Sequence, residues 1–349
     1  MDDQFERPYV EKYRPETLED VVGNFIILKS FFRQQVCNRL TQSNCEVWKY
    51  AESHFSCKFQ VRLTIIQGPP GTGKTSSVMC MARQMLKDCV KTAVLELNAS
   101  DDRGIDVVRD KIKGFAHQKV TVPTGMHKLI ILDEGDAMTE SAQQALRMIM
   151  TEYSSTTRFA IACNDSAKII EPIQSRCAIV RFTKLSDEEV VERLQVVMER
   201  ENIEHTNDGI EALVFTADGD MRYALNNLQA TFAGFSMVNK ENVFKVCDQP
   251  HPELMGNVLK ACLTAKFSEA CALIDTVFTQ GYNLIDIINT LTKIMQTMSE
   301  IKSEEMRLNY LREASIIKMK TLEGNNSQLQ LHGFLANLCQ LSVQPNKVK

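Results

Sequence analysis

The octapeptide GPPGTGKT (68–75) decides the fold. It sets Gly68, Gly73, Lys74 and Thr75 at the spacing of a phosphate-binding loop, and an apolar run, VRLTIIQ (61–67), precedes it while a helical stretch follows. Glycines here let backbone N–H groups turn inward around a β-phosphate, at a helix N-terminus that carries partial positive charge. Lys74 then reaches the β- and γ-phosphates of ATP, and the Thr75 hydroxyl takes Mg2+. Pro69, Pro70, Gly71, Thr72 and Ser76 complete the nucleotide-binding stretch. A chance turn rich in glycine and proline is the alternative, and the strand–loop–helix context argues against it.

Outward from this loop, strand and helix signals alternate over 61–183. The short apolar runs VRLTIIQ, AVLEL (93–97), KLIIL (128–132), RFAIAC (158–163) and AIVRF (178–182) are separated by helical segments. That is the pattern of a parallel sheet with crossover helices. After 183 the strands stop. Helical stretches follow near 186–201, 207–217 and 220–233, and 251–342 continues at 3.6-residue periodicity. DQPHPE (248–253), with two prolines, is the best linker candidate. The expected organisation is an α/β nucleotide-binding domain (1–183), a small helical domain (184–249) and an all-α C-terminal domain (250–349).

A second element matches the loop. In LIILDEGD (129–136) an apolar strand delivers Asp133 and Glu134 to its C-terminal end, where ligands bind in open α/β sheets. Asp133 is suited to hold Mg2+, mainly through water, and Glu134 to orient and polarise an attacking water. An Asp-Glu pair after a strand is by itself more often a solvated strand end; beside a phosphate loop it is a catalytic pair. Hydrolysis of this kind is mostly positioning and charge neutralisation, so two further groups are needed: one to sense the γ-phosphate and one cation for the transition state. Arg176, in QSRC (174–177), is either one more surface charge or a group that serves this chemistry.

Composition bounds the rest. The 349 residues are 44% hydrophobic and 24% charged, with a formal charge of −4. These are the fractions of a globular protein, and the charge announces no nucleic acid, so a basic binding surface has to be local. The N-terminus lacks the apolar region of a signal peptide, and no run of ~18 apolar residues suggests a membrane partner. The 11 cysteines are scattered, without a CxxC pair, which fits buried reduced thiols.

VEKYRPETLEDVVGN (10–24), GPPGTGKT, ELNASDDRGIDVVRDKIKGFA (96–116), ILDEGDAMTESAQQALRMIM (131–150), RFAIACNDSAKIIEPIQSRC (158–177) and GDMRYALNNLQ (219–229) together resemble a small subunit of replication factor C. That family forms the eukaryotic sliding-clamp loader, a heteropentamer of AAA+ ATPase subunits. FKVCDQPHP (244–252) is similar to one numbered subunit of the set. The resemblance covers 1–33 and 61–345. It implies an AAA+ domain, a helical lid and a collar that builds the oligomer. It implies as partners the other subunits, the sliding clamp PCNA and primer–template DNA, in DNA replication and repair in the nucleus.

The resemblance also assigns roles. Val10, Arg14 and Val22 are implied to line the adenine pocket, with plain core packing the alternative for the valines. Asn164 matches the first sensor, at the end of the fourth strand. Arg222 matches the second sensor, on the lid; a solvated arginine at a helix start is the alternative. Asn98 resembles a polar switch that holds the catalytic glutamate away until DNA arrives. Arg176 lies in the family's SRC motif, where it acts as an arginine finger in the neighbouring subunit's ATP site. A planar, permanently charged guanidinium suits that use.

The helix expected over 104–119 is amphipathic, with Ile105, Val108, Ile112 and Phe115 as its buried stripe. Arg109, Lys113 and His117 form a column of like charge at four-residue spacing, which suggests an anionic partner, although Asp106 and Asp110 are placed to neutralise it locally. In clamp loaders the corresponding helix tracks the duplex backbone. Arg109 and Lys113, with Arg103 and Lys119 behind them, are the implied DNA contacts, blind to base identity and sensitive to salt. The clamp-facing surface is implied to lie around 141–150.

Two departures from the family stand out. Residues 34–60 do not match it. They hold Trp48, Cys37, Cys45, His54 and Cys57, whose spacing fits no common zinc pattern. Gly135 stands where the family often has alanine, and little change is expected from that. Two other functions compete with the clamp-loader ATPase. A structural subunit with dispensable hydrolysis conflicts with the complete set Lys74, Thr75, Asp133 and Glu134. A branch-migration or remodelling motor conflicts with the SRC motif and the lack of an aromatic pore loop.

Overall fold

The computed structural model describes residues 7–24, 63–99, 108–123, 126–247, 249–301 and 303–343, the side chains of Val108 and Arg109 excepted. Arg103, Ile105, the Arg109 side chain and the whole 34–60 segment lie outside the described residues.

Five short strands form the sheet: β1 (Thr64–Gln67), β2 (Val94–Asn98), β3 (Lys128–Asp133), β4 (Thr157–Cys163) and β5 (Ala178–Arg181). All pair in parallel, in the order β2-β3-β4-β1-β5. The chain therefore leaves β1, builds β2, β3 and β4 as it returns, and adds β5 on the far side. The strands read as continuous apolar runs because both faces are covered. On one face Ile130 and Leu132 of β3 pack with Ile65, Phe159 and Ile161. On the other, Leu129 and Ile131 pack with Ile66, Ala160 and Val180.

The helices associated with the sheet are α1 (Tyr9–Lys12), α2 (Lys74–Leu86), α3 (Val90–Ala93), α4 (Lys113–His117), α5 (Glu140–Glu152) and α6 (Glu171–Gln174). Val78, Cys80 and Ala82 of α2 close one face. Ala142, Leu146, Ile149 and Met150 of α5 close the other. Thr139 caps α5, its hydroxyl accepting from Ala142 N–H at 3.3 Å. Of the stretch expected as one helix over 104–119, the described residues form a π-helical turn (Val108–Ile112) running into α4. Ile112 is buried there as expected, but Ala116 is the second innermost residue and Phe115 is only half-buried.

After the sheet come α7 (Asp187–Glu201), α8 (Asn207–Ala217) and α9 (Met221–Phe235). Ser186 and Glu189 form a reciprocal capping box at the start of α7, and Asn202 ends it in the left-handed conformation. The last helices are α10 (Lys240–Val246), α11 (Pro252–Leu263), α12 (Phe267–Thr279), α13 (Leu284–Thr297), α14 (Glu304–Leu322) and α15 (Gln328–Val343).

The chain divides into two compact units, residues 1–205 with 213–236, and residues 206–212 with 237–349. The second has its own core, with Met255, Leu259, Ile274, Ile288, Tyr310 and Phe334 among its fully buried members. The Tyr310 hydroxyl, sunk in that core, donates to Leu338 O at 3.1 Å. In the linker candidate, His251 accepts from Glu253 N–H and caps α11, and Pro252 takes its first position, where no N–H is needed. Among the described residues the cysteines are free thiols, and Cys80, Cys163, Cys247, Cys262 and Cys339 are buried. No helix of the described residues is long and apolar enough to cross a membrane.

Candidate functional site: a nucleotide cleft in the first unit

The phosphate loop leaves the C-terminal end of β1 and opens α2. Gly73, at φ +80°, precedes the helix in the left-handed conformation, and a Cβ there would point into open space apart from Ser77 Oγ at 4.0 Å. Gly71, at φ +69°, has another reason to be glycine: a Cβ would fall 1.6 Å from Asp220 Oδ1. Asp220 caps α9, and Met221 N–H donates to Gly71 O at 3.4 Å. The start of α9 is thus docked directly on the loop.

A cleft of about 460 Å³ opens at this point. Its lining includes the apolar side chains of Val10, Val21, Val22, Leu185, Met221 and Leu225. Residues 71–76, Asp133, Asn98 and Arg222 also line it. Apolar side chains together with a phosphate loop and cations are the chemistry of a nucleoside-triphosphate site. Arg14 also lines it, 3.6 Å from Glu96. Gly68, Pro69, Pro70, Glu134, Asn164 and Arg176 are not among the lining residues.

Lys74 directs its ammonium to Gly68 O at 2.8 Å, Pro69 O at 2.7 Å and Asn164 Oδ1 at 2.9 Å. These use all three of its donors. Burial holds its pKa below the ordinary lysine value; Asp133 opposes that, and the like charge of Arg222 adds to it. Two mutually repelling cations at one end of a cleft favour an anion between them. Asn164, expected as a sensor, is in direct contact with the lysine.

Thr75 donates from Oγ1 to Asp133 Oδ2 at 2.7 Å, and Glu134 N–H donates to Asp133 Oδ1 at 2.9 Å. A hydroxyl and a carboxylate from two different elements meet here. This hard-oxygen pair beside a phosphate loop fits Mg2+, which keeps several waters and one or two protein oxygens. Among the described residues no group of three His, Cys, Asp or Glu side chains forms a self-sufficient metal site. Glu134 is exposed and its backbone lies at φ +51°, ψ +41°. For a non-glycine residue that conformation costs about 1–2 kcal/mol and aims the side chain off the strand axis. Asn98 pairs in register with Asp133 across β2 and β3.

Gly135 is buried, and a Cβ on it would come within 2.4 Å of Ile161 Cγ2. The space an alanine methyl would take at 135 is filled here by Ile161, which is 2% exposed and lies in the central strand β4.

Arg176 stands elsewhere. It follows α6 and precedes β5, whose first residue pairs with Thr64 at the start of β1, while the phosphate loop leaves the end of β1. A four-residue strand, ~13 Å at about 3.3 Å per residue, separates those levels. Arg176 is exposed and donates to Thr151 Oγ1.

The basic column is only partly described. Lys113, His117 and Lys119 are exposed, on or just after α4. Their helix is held by a residue with no signal of its own. Lys128, 5% exposed at the start of β3, donates to Phe115 O at 2.9 Å, Ala116 O at 2.5 Å and Gln118 O at 2.7 Å. One ammonium thus satisfies the C-terminal carbonyls of α4.

Other residues of the site were also unforeseen. Tyr13 and Arg193 line the cleft. The Tyr13 hydroxyl bonds to Glu201, Lys12 pairs with Glu201 at 2.6 Å, and Arg193 donates to Tyr13 O at 2.8 Å. Tyr9 N–H donates to Gln229 Oε1 at 2.9 Å. The N-terminal segment is thereby strapped to α7 and α9. Buried Gln143 donates to Met138 O and Lys168 O and accepts from Ile170 N–H, tying α5 to the loop after β4. The sequence shows these side chains but offers no periodicity or spacing that would pair them.

Comparison with known proteins agrees with this geometry. Residues 64–185 match the model of the ATPase family associated with various cellular activities (AAA), and residues 250–337 match that of the replication factor C C-terminal domain. The chain is 50% identical to replication factor C subunit 2 of Arabidopsis thaliana, over 96% of this chain and 94% of that protein. It is 49% identical to probable replication factor C subunit 2 of Dictyostelium discoideum, over 97% and 93%. It is 46% identical to replication factor C subunit 4 of Saccharomyces cerevisiae, over 96% of each. Among solved structures, the Thermotoga maritima RuvB Holliday junction branch migration motor superposes with a TM-score of 0.51 at 15% identity, over 71% of this chain and 78% of that one. At that identity it shows the shared fold alone. The chain belongs to the replication factor C small-subunit family of AAA ATPases.

Proposed function

We propose that this chain binds and hydrolyses ATP as one subunit of a pentameric clamp loader, which opens PCNA and closes it on primer–template DNA in the nucleus. The observation that carries this is the pair of contacts beside the phosphate loop, Lys74 to Asn164 and Thr75 to Asp133, with Arg176 at the opposite end of the neighbouring strand. The apolar lining receives the adenine, held by Val10, Val22 and the strap that bears Arg14. To engage a γ-phosphate, Lys74 gives up one of its three acceptors; the Asn164 side chain is freer to move than the two loop carbonyls. Arg222 adds a second cation from the helical lid (184–249). Thr75 and Asp133 hold Mg2+, whose role is to neutralise charge developing between the β- and γ-phosphates. Glu134 orients a water for in-line attack, with Asn98 beside it as the switch.

Arg176 lies too far from its own cleft to serve it and completes the site of a neighbouring subunit. An arginine supplied in trans is worth about 10³–10⁵ in rate, so the isolated chain is a slow ATPase. Lys113 and Lys119, with Arg109 and Arg103, contact the phosphate backbone; helices 250–349 form the collar; the surface around 141–150 faces the clamp. The test is the assembled complex carrying Glu134→Gln, assayed with clamp and primed DNA. The expected result is collapse of the stimulated turnover with nucleotide binding retained. Clamp loading that persists without hydrolysis at this site identifies a structural subunit, and unwinding activity identifies a motor; either outcome overturns the proposal.

A further inference from the structure

A chain of side-chain bonds links the helix that carries Arg176 to the chain's own nucleotide cleft. Gln67 is the last residue of β1, immediately before Gly68 of the phosphate loop. Its Oε1 accepts from Ser166 Oγ at 2.9 Å. Ser166 belongs to the turn that follows Asn164, the side chain bonded to Lys74. Gln174, the last residue of α6, donates from Nε2 to Ser166 O at 2.7 Å and to Ile169 O at 2.6 Å. Arg176 follows two residues later, its N–H bonded to Ile173 O at 3.1 Å. Both Nε2 protons of Gln174 are used, so the amide has one orientation.

We infer that Gln174 is a positioning residue for Arg176, and that through Ser166 and Gln67 it ties the arginine's helix to the phosphate loop of the same chain. This rests on Arg176 serving a neighbouring site. The α6 helix is a single turn of four residues, too short to be stable by its own hydrogen bonds. Ile173 anchors its buried side, 1% exposed. What fixes its rotation on the other side is the pair of bonds from Gln174. Asn164 lies two residues before Ser166, so the segment to which Gln174 is bonded is contiguous with the side chain that contacts Lys74.

The test is a double-mutant cycle in the assembled complex, using Gln174→Met, Arg176→Ala and both, with ATP turnover in the presence of clamp and primed DNA as readout. Methionine keeps the length and removes both donors. Gln174→Met is expected to lower kcat roughly tenfold, within the ~100-fold that a misplaced group can cost. It should leave the affinity of this chain's cleft for a non-hydrolysable ATP analogue unchanged and add nothing in the Arg176→Ala background. A merely structural role would move analogue affinity and would multiply with Arg176→Ala. Ser166→Ala, which removes only the bond to Gln67, should show a smaller loss with the same non-additivity, and it carries the test if Gln174→Met does not assemble. If Arg176→Ala leaves turnover unchanged, the in-trans reading of Arg176 fails and this inference falls with it. If Arg176→Ala slows turnover but the Gln174 and Ser166 variants do not, or their effects multiply with it, this inference alone is overturned.

Discussion

Gly135→Ala adds one methyl group at the most crowded point of the catalytic strand end. The new Cβ would lie 2.4 Å from Ile161 Cγ2 and 3.5 Å from Ala162 O. Carbon–carbon contacts are comfortable at about 3.5–4.0 Å, so the methyl must gain more than 1 Å from a β-branched side chain whose χ1 is restricted. Overpacking of that kind costs about 1–3 kcal/mol. Replacing glycine offsets roughly 0.5–1 kcal/mol by lowering the entropy lost on folding. The net lies between about 0 and 2.5 kcal/mol, with a midpoint of ~1.3 kcal/mol, a factor of about 10 in a local equilibrium. Native-state hydrogen exchange of the Ala160, Ile161 and Ala162 amides reads it directly, because opening of β4 exposes them. Exchange should accelerate by that factor, and stimulated ATPase should fall because Glu134 is the adjoining residue. In an Ile161→Ala background, where Cγ2 is gone, Gly135→Ala should cost nothing further. Unchanged exchange in the single variant, or an equal cost in both backgrounds, would refute the steric account.

Two other perturbations test the surroundings of the site. Lys128→Met keeps the buried stem and orphans three carbonyls at the end of α4; even with the ammonium desolvation relieved, a loss of about 2–3 kcal/mol is expected, seen as faster exchange of the α4 amides and weaker DNA binding, and unaltered protection there would show that the ammonium holds nothing. Burial raises the Tyr13 pKa from 10.0 to about 12, with the Glu201 bond and charge adding to it. A proton held more tightly in the folded state stabilises it fully below pH 10, and that contribution is lost as pH rises towards 12. Burial also raises the Tyr310 pKa to about 12, so tyrosinate absorbance should show two rings titrating near 12, of which one disappears in Tyr13→Phe and titrates lower in Glu201→Gln.

How far the sequence could be read depended on how local the signal was. The strands were legible because each is a short apolar run between turns: RFAIAC anticipated Thr157–Cys163 and KLIIL anticipated Lys128–Asp133, each to within a residue. The helix expected at 186–201 is Asp187–Glu201, since the Ser186–Glu189 capping box announces its start. Lys74 and Thr75 were legible because phosphate loops fix their spacing, and Asp133 because an apolar strand ends on it. Lys128 was not, because a lysine opening an apolar strand looks like a solvated edge until the carbonyls of α4 arrive above it. Tyr13 with Glu201, and Gly71 with Asp220, are separated too widely in sequence for any periodicity to pair them. The crowding at Gly135 is invisible for the same reason, since it depends on which rotamer a neighbouring strand presents. The helix over 104–119 was legible as amphipathic, but its π-helical turn carries no signature in residue type.

The separation of Arg176 from the cleft has a consequence for symmetry. A patch that pairs with its own copy about a two-fold axis must contain both the donor and the acceptor of each contact. On the proposed in-trans role, the donor precedes the first residue of β5 and the acceptor follows the last residue of β1, at opposite ends of two neighbouring strands. A two-fold pair built on either end alone would bring arginine to arginine or cleft to cleft and complete neither site. Completion then requires head-to-tail contacts, each chain giving at one end and receiving at the other. Such a series either closes on itself or ends with one cleft and one arginine unmatched, so an open arc of n chains holds n − 1 complete sites.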